Sequence, residues 1–434
     1  MELWGGIECT LTRVGDERRD QLAMSGHYTR ASDLDRIAAL GIRTLRYPLL
    51  WERAAPGAPD IFDWRFADER LPRLRSLGIT PIAGLVHHGC GPDRAGLITD
   101  AFVHGLARYA GEVARRFPWL KYYTPVNEPL TTARFCGLYG IWHPHGRDDR
   151  SFARILVNES RAIVLAMRAI REVNPGAKLV HTEDLGTIYS TGHLAYQAAF
   201  ENCRRWLAWD LLCGFVGRTH PMHGYLRASG ISAAELAWFV DNPCPPDIIG
   251  IDHYVTSDRF LDENVTRYPA CARGGNGREV YVDVEAVRVL ERPGTSLRHA
   301  ILDCWRRYGI RIALTEVHIG CSEDEQVRWL DEAWTTCTQL AASGVDITAL
   351  TSWAMLGSHD WDSLLTVQRG HYEAGAFRLH NGMPRATPLA GYIAARTAGE
   401  PVTEFDAILA TEGWWRKEGR LLQGTDFPIA SLVA

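Results

Sequence analysis

The feature that most constrains this chain is the regular exchange of two hydrophobic periods along its length. Short runs that are apolar throughout, or at every second residue, read as strands; longer runs with apolar residues three and four apart read as helices. The strand-like runs cover residues 3–9, 42–47, 81–86, 121–126, 178–181, 247–254, 310–316 and 347–353. Helical stretches follow them over residues 33–40, 66–77, 101–117, 151–173, 194–216, 297–308, 324–342 and 388–397. Glycine closes several of these, as at Gly41 and Gly78. Eight β-then-α units in series predict a parallel sheet with helices outside, closed into a (β/α)8 TIM barrel. An open doubly wound sheet is the competing arrangement. It is disfavoured because no glycine-rich phosphate-binding turn follows the first strand.

The 434 residues would allow about three domains at ~150 residues each, but α/β barrels commonly exceed that size as one unit. The reading is a single barrel domain over residues 1–400, with residues 401–434 as a tail packed on it, holding Trp414 and Trp415. Residues 256–296 are the longest irregular stretch, with glycines at Gly274, Gly275 and Gly277. Following a strand, that stretch should overhang the face where the strands end.

Charge narrows the partners. The formal net charge is −5, with no basic footprint, so nucleic acid is excluded as an expected partner. Lysine occurs only at Lys121, Lys178 and Lys417 among 47 basic residues. The dispersed arginines suggest the coding bias of a GC-rich bacterium. The ten cysteines form no CxxC pair and no zinc-ligand spacing, and read as reduced, mostly buried thiols. The first six residues, Met1-Glu2-Leu3-Trp4-Gly5-Gly6, lack the basic and apolar segments of a secretory signal. No apolar run is long enough to span a membrane. The expectation is a cytoplasmic protein.

Catalytic groups of a barrel sit where strands end and loops begin. The fourth strand ends Val126-Asn127-Glu128-Pro129, and the seventh ends Leu314-Thr315-Glu316. Two carboxyls from these strands would face each other across the barrel mouth. A retaining glycosidase needs that pair, about 5–5.5 Å apart: one protonates the leaving oxygen and the other attacks the anomeric carbon.

These residues carry a family resemblance. Thr124-Pro125-Val126-Asn127-Glu128-Pro129 resembles the Thr-Phe-Asn-Glu-Pro signature of glycoside hydrolase family 1, the β-glucosidase-type retaining enzymes of clan A. Gly137-Leu138-Tyr139-Gly140 through Pro144-His145-Gly146 resembles the loop that follows it, and Leu314-Thr315-Glu316 resembles the Ile/Val-Thr-Glu of the nucleophile strand. The likeness runs from residue 4 to about residue 377. It implies Glu128 as acid/base, Glu316 as nucleophile, a small-molecule glycoside substrate and no cofactor or metal. Leu45-Arg46-Tyr47 with Trp51-Glu52-Arg53 resembles Tyr-Arg-Phe-Ser-Ile-Ser-Trp-Ser-Arg, which implies Arg46 beside Glu316. Asn127 is then expected at the sugar 2-hydroxyl, and His87 at the 3-hydroxyl with His88 as its alternative. The run from Asp247 to Tyr254 resembles Asp-Phe-Ile-Gly-Ile-Asn-Tyr-Tyr, implying a hydroxyl from Tyr254 to Glu316. Trp353 and Trp361 keep the register of Trp-Ser-Leu-Leu-Asp-Asn-Phe-Glu-Trp and imply aromatic faces against the sugar.

The departures cluster around sugar recognition. The family's first-strand Gln has no counterpart, and Thr12 or Arg13 falls near that place. Asp360 stands for the Glu that grips the outer hydroxyls, His359 for Phe, Asp252 for Asn, and Val317-His318 for Asn-Gly. The expectation is retained chemistry with a donor sugar other than plain glucose. Three alternatives stand beside it: a metal site built on His87, His88, Cys90, His143 and His145, a non-catalytic sugar-binding barrel, and another clan A glycosidase or transglycosidase.

Overall fold

The computed structural model describes residues 1–57, 61–92, 95–291 and 296–421. Eight strands form a closed barrel: β1 (Glu2–Gly6), β2 (Thr44–Pro48), β3 (Thr80–Gly84), β4 (Tyr122–Thr124), β5 (Lys178–Asp184), β6 (Ile248–Asp252), β7 (Ile312–Val317) and β8 (Ile347–Ser352). Each pairs in parallel with its sequence neighbours, and β1 closes the ring by pairing with both β2 and β8. The doubly wound alternative is thereby excluded.

The principal outer helices are α1 (Asp33–Ala39), α2 (Arg65–Ser76), α3 (Asp100–Arg116), α4 (Asp149–Val173), α5 (Ala195–Arg204), α6 (Ser296–Tyr308), α7 (Glu323–Ala342) and α8 (Pro388–Ala398). Their apolar stripes face the strands. On α4, Phe152, Leu156, Ile163, Met167 and Ile170 recur at helical spacing, and all are fully buried. The predicted helix over 194–216 is two helices, α5 and Leu207–Leu212. Two more, His223–Ala228 and Ala233–Asp241, precede β6.

Inside the barrel, Trp4, Ile82, Val180, Ile248, Ala313 and Ala349 form an apolar layer drawn from six strands. Two residues further along, the same faces carry Gly6, Thr182, Gly250, Thr315 and Thr351. The interior therefore turns small and polar toward the strand ends, leaving room and hydrogen-bonding groups there.

The described part of the stretch 256–296 is more ordered than expected. It contributes Arg259–Asp262, Arg273–Gly275 and Val280–Glu285 to a four-stranded sheet completed by Ile188–Ser190. The alternation Val280-Tyr281-Val282-Asp283-Val284-Glu285 is the signal for the long strand: Tyr281, Val282 and Val284 are buried in small apolar clusters. This sheet walls one side of the barrel mouth.

Trp415 of the tail is buried. It sits edge-on to Trp329 at 5.5 Å, with its Nε1 donating to Glu332 at 2.9 Å. Residues 422–434 of the tail lie outside the described residues. Among the described residues no helix is long and apolar enough to cross a membrane.

Candidate active site

A cavity of about 870 Å³ opens at the C-terminal ends of the strands. Two sequence signals place a carboxyl on its floor. After β4 the chain continues beside β3 and β5: Asn127 N donates to Val86 O at 2.9 Å, and Glu128 N donates to Thr182 O at 3.1 Å. Glu128 then adopts φ 44°, ψ 61° and serves as N-cap of the short helix Pro129–Ala133, with proline at its first turn. A left-handed conformation is costly for a residue with a Cβ. Buried bonds hold it here: Leu130 N donates to Glu183 Oε1 at 2.9 Å and Thr132 N to Glu128 O at 2.9 Å. Glu183 thus fixes the turn that aims Glu128.

The second carboxyl depends on an irregularity. Along β7 the inward residues are Ala313 and then Thr315, so strict alternation would turn Glu316 away from the mouth. The pairing shifts between Leu314 and Glu316 against β6, and between Leu314 and Val317 against β8. This bulge re-aims Glu316 into the cavity. Arg46 Nη1 donates to Glu316 Oε1 at 2.8 Å and to Thr315 O at 2.7 Å, while its Nη2 donates to Asn127 Oδ1. The Tyr254 hydroxyl donates to Glu316 Oε2. Asp252, at the end of β6, completes the group. Carboxylate oxygens of Glu128, Asp252 and Glu316 all lie within 4.8 Å of one another.

These three carboxyls are buried together and cannot all ionise easily. Glu128 is pushed well above its usual 4.5, first by burial and then by the charges of Asp252 and Glu316. Burial and Asp252 also raise Glu316, to about 8, and Arg46 and the Tyr254 hydroxyl limit that rise without reversing it. Glu128 has no comparable cation. His88 Nε2 lies 3.7 Å from it, but burial lowers the His88 pKa to about 3, and His87 falls well below its usual value for the same reason. Both histidines are therefore neutral at physiological pH. The arrangement separates a carboxyl that keeps its proton from one beside a fixed cation.

The remaining floor is aromatic and polar. Trp353 stacks on His87 at 5.5 Å and 7°, and the Arg46 guanidinium lies 4.6 Å from the Trp353 ring centre. Gly6 permits this, since a Cβ there would overlap the Trp353 ring. His87 and His88 both line the cavity, so the structure leaves both as candidates, and Asn127 Nδ2 approaches their Nε2 atoms at 3.4 and 3.5 Å. Asn127 Oδ1 also accepts from Thr182 Oγ1 at 2.7 Å. Arg46 and Asn127 are not part of the cavity wall and meet it through Glu316 and the histidines. Trp361 lines the wall with a buried, unpaired Nε1.

Two expectations are corrected. Neither Thr12 nor Arg13 lines the cavity. Glu8 does, buried beyond β1, accepting from Thr10 N at 2.7 Å and Trp353 Nε1 at 3.3 Å. Its signal was already present as an acid at the end of the first apolar run. Asp360 is likewise absent from the wall. It sits at φ 56° in a turn, its Oδ1 accepting from His371 N at 2.8 Å and Arg369 N at 3.2 Å. The turn holds one oxygen of that carboxylate and leaves Oδ2 buried without a partner, and Asp362, two residues on, lines the cavity instead. His318 lines it too, 3.2 Å from Glu373. Of the histidines and cysteine weighed as metal ligands, Arg13 faces the His143 ring, and His145 Nε2 accepts from Gly15 N at 2.9 Å. Among the described residues the group whose ligand atoms converge is the carboxyl trio.

Comparison with known proteins bears on the fold. No protein-family model matches the chain. β-Glucosidase 4 of Oryza sativa subsp. japonica is 26% identical over 150 residues, covering 32% of this chain and 31% of the relative. β-Glucosidase A of Thermotoga maritima is 24% identical over 201 residues, 44% of each chain. The matched stretches thus span less than half of these relatives' length. The solved family 1 β-glucosidase of Thermotoga maritima superposes with a TM-score of 0.72 at 15% identity, over 92% of this chain and 98% of that one. Its complex with cyclophellitol gives 0.72 at 16% identity over the same shares. The chain has the fold of solved family 1 β-glucosidases.

Proposed function

We propose that this protein is a retaining β-glycosidase of the family 1 type, divergent in sequence and bacterial in origin. The observation that carries the reading is the pair Glu128 and Glu316. Their oxygens lie within 4.8 Å, short of the ~6.5–9.5 Å that an inverting enzyme needs to admit water between them. Glu316, held by Arg46 and Tyr254, attacks C1 of the donor sugar. Glu128 gives its proton to the departing oxygen, and a glycosyl ester forms on Glu316. That ester removes a negative charge from the trio, so the Glu128 pKa falls and it becomes the base that deprotonates incoming water. His87, Trp353 and Trp361 contact the sugar. No cofactor is needed.

The donor is a terminal β-linked sugar other than plain glucose, because Glu8 and Asp362 line the cavity where hydroxyl readers are expected. A carboxylate accepts hydrogen bonds but cannot donate them when ionised, so it selects a different hydroxyl pattern from an amide. The nine described cysteines, all unpaired, support a reducing compartment such as the cytoplasm. Residues 1–400 act as one catalytic barrel, and residues 401–434 as its appended tail.

The test is nitrophenol release from aryl β- and α-glycosides spanning gluco, galacto, xylo, fuco, manno, rhamno and glucurono donors, with Glu316→Gln as control. Cleavage of a β-donor that the variant spares is expected. Cleavage undiminished in the variant, or silence from folded wild type across the panel, would reject the mechanism.

A further inference from the structure

Three buried carboxyls meet where the chemistry above uses two. Asp252 is fully buried at the end of β6, and neither of its oxygens has a hydrogen-bond partner. The nearest cation does not supply one. Arg46 Nη1 stands 3.8 Å from Asp252 Oδ1, but it is committed to Glu316 at 2.8 Å and to the Thr315 carbonyl at 2.7 Å. A buried carboxylate without a donor is costly. Two groups within reach can offer it a proton, the Thr315 hydroxyl and Glu128; the hydroxyl can serve one oxygen, and of the two only Glu128 carries an acidic proton.

We propose that Asp252 is a positioning residue that shares the proton of Glu128. The Glu128 Oε–H donates to an Asp252 oxygen, which keeps the acid protonated and aimed until a glycosidic oxygen takes that proton. This rests on the assignment of Glu128 and Glu316 made above.

The groups facing the shared proton agree with this. On the β7 side stands Glu316, with Glu8 beyond it raising it further. On the β5 side, Asp184 adds negative charge, shared with Arg134 at 3.8 Å and the Ser257 hydroxyl at 2.5 Å. Burial also pushes the Glu183 carboxyl beneath well above its ordinary value. On the β3 side His88 is neutral, and on the β2 side Arg46 is the cation. Burial and the Asp252 charge push Glu128 well above its ordinary value.

The charge count is preserved through the reaction. Before glycosylation Glu128 is neutral, and Asp252 and Glu316 are anions. Afterwards Glu316 is an ester, the proton has left with the departing alcohol, and Glu128 and Asp252 are anions. Water then returns a proton to Glu128 as its oxygen takes C1 from Glu316. The trio carries two negative charges throughout, beside one arginine.

The experiment is the pH dependence of kcat/KM for wild type, Asp252→Asn and Asp252→Ser, on an aryl β-glycoside that the wild type cleaves, with folding checked by circular dichroism. Removing the Asp252 charge lowers the pKa of both Glu128 and Glu316. Both limbs of the bell should move toward acid, by about one pH unit or more. A folded variant whose limbs stay in place while only its rate falls would overturn the shared proton. So would wild-type activity lost to EDTA and restored by Mn²⁺, which would make the trio a metal site. Should neither variant fold, a wild-type alkaline limb below about pH 5.5 would overturn the proposal. Wild type that hydrolyses no donor would instead remove the assignment on which the proposal rests.

Discussion

Arg46 offers the most direct test of the site's electrostatics. Among the described residues it is the cation that touches the carboxyl trio, 2.8 Å from Glu316 and 3.8 Å from Asp252. Replacing it by glutamine removes one positive charge from a buried group. At ~4 Å between charge centres and an effective dielectric of ~20, that charge is worth about 4 kcal/mol. The corresponding limit is about 3 pH units on the Glu316 pKa. Part of this is relieved because the proton redistributes among Glu128, Asp252 and Glu316, so about 1.5 units is expected. The sign follows from the charge. Arg46 favours the Glu316 carboxylate, its loss raises that pKa, and the acid limb of kcat/KM moves to higher pH. On that limb the rate at fixed pH should fall ~30-fold. Arg46→Lys separates charge from shape. An ammonium keeps the charge but cannot span Glu316 and Asn127 together. Its acid limb should stay within ~0.5 unit of wild type while kcat falls. Leaving a buried anion unpaired costs about 3–5 kcal/mol of stability, so thermal unfolding is followed alongside. An unmoved acid limb in a folded glutamine variant, with the lysine variant equally impaired, would refute the electrostatic reasoning.

Two further outcomes are expected. Tyr254→Phe removes a hydroxyl donor to Glu316, a bond to a charged acceptor worth about 1.5–3 kcal/mol; kcat/KM should drop roughly 10- to 100-fold and the acid limb should rise, and an unchanged profile would take Tyr254 out of the site. Glu8→Gln adds an amide donor beside Trp353 and His87, and should improve gluco donors relative to the wild-type ranking by ~10-fold; an unchanged ranking across the aryl glycosides would show that Glu8 does not read the sugar.

The strand and helix periods are local, so much of the fold was legible. The eight barrel strands fall within a few residues of the predicted runs. Differences occur where tertiary pairing overrules pattern. The run 121–126 pairs as β4 only over Tyr122–Thr124, because the chain beyond turns into the left-handed residue Glu128. The sheet over Arg259–Asp262, Arg273–Gly275 and Val280–Glu285 is not legible as strands in the sequence, because its short strands sit among glycines and charged residues. Their partner Ile188–Ser190 lies about seventy residues earlier in the chain.

The sequence alone determined the barrel order and the two motif-borne acids, since hydrophobic period and chain order set which strand ends at Asn127-Glu128 and which at Thr315-Glu316. It could not determine which other carboxyls meet them. Glu8 reaches the cavity because β1 lies beside β8, where Trp353 begins its loop. Asp360 is withheld because a turn holds its Oδ1 and buries the side chain away from the wall, and Asp362 lines the cavity instead. Glu316 faces inward through a shift in pairing that no spacing records. Asp252 comes within 4.8 Å of both catalytic candidates only when β4, β6 and β7 converge on the mouth. Distances across a closed barrel depend on strand register and bulges, and these are fixed by contacts between residues far apart in the chain.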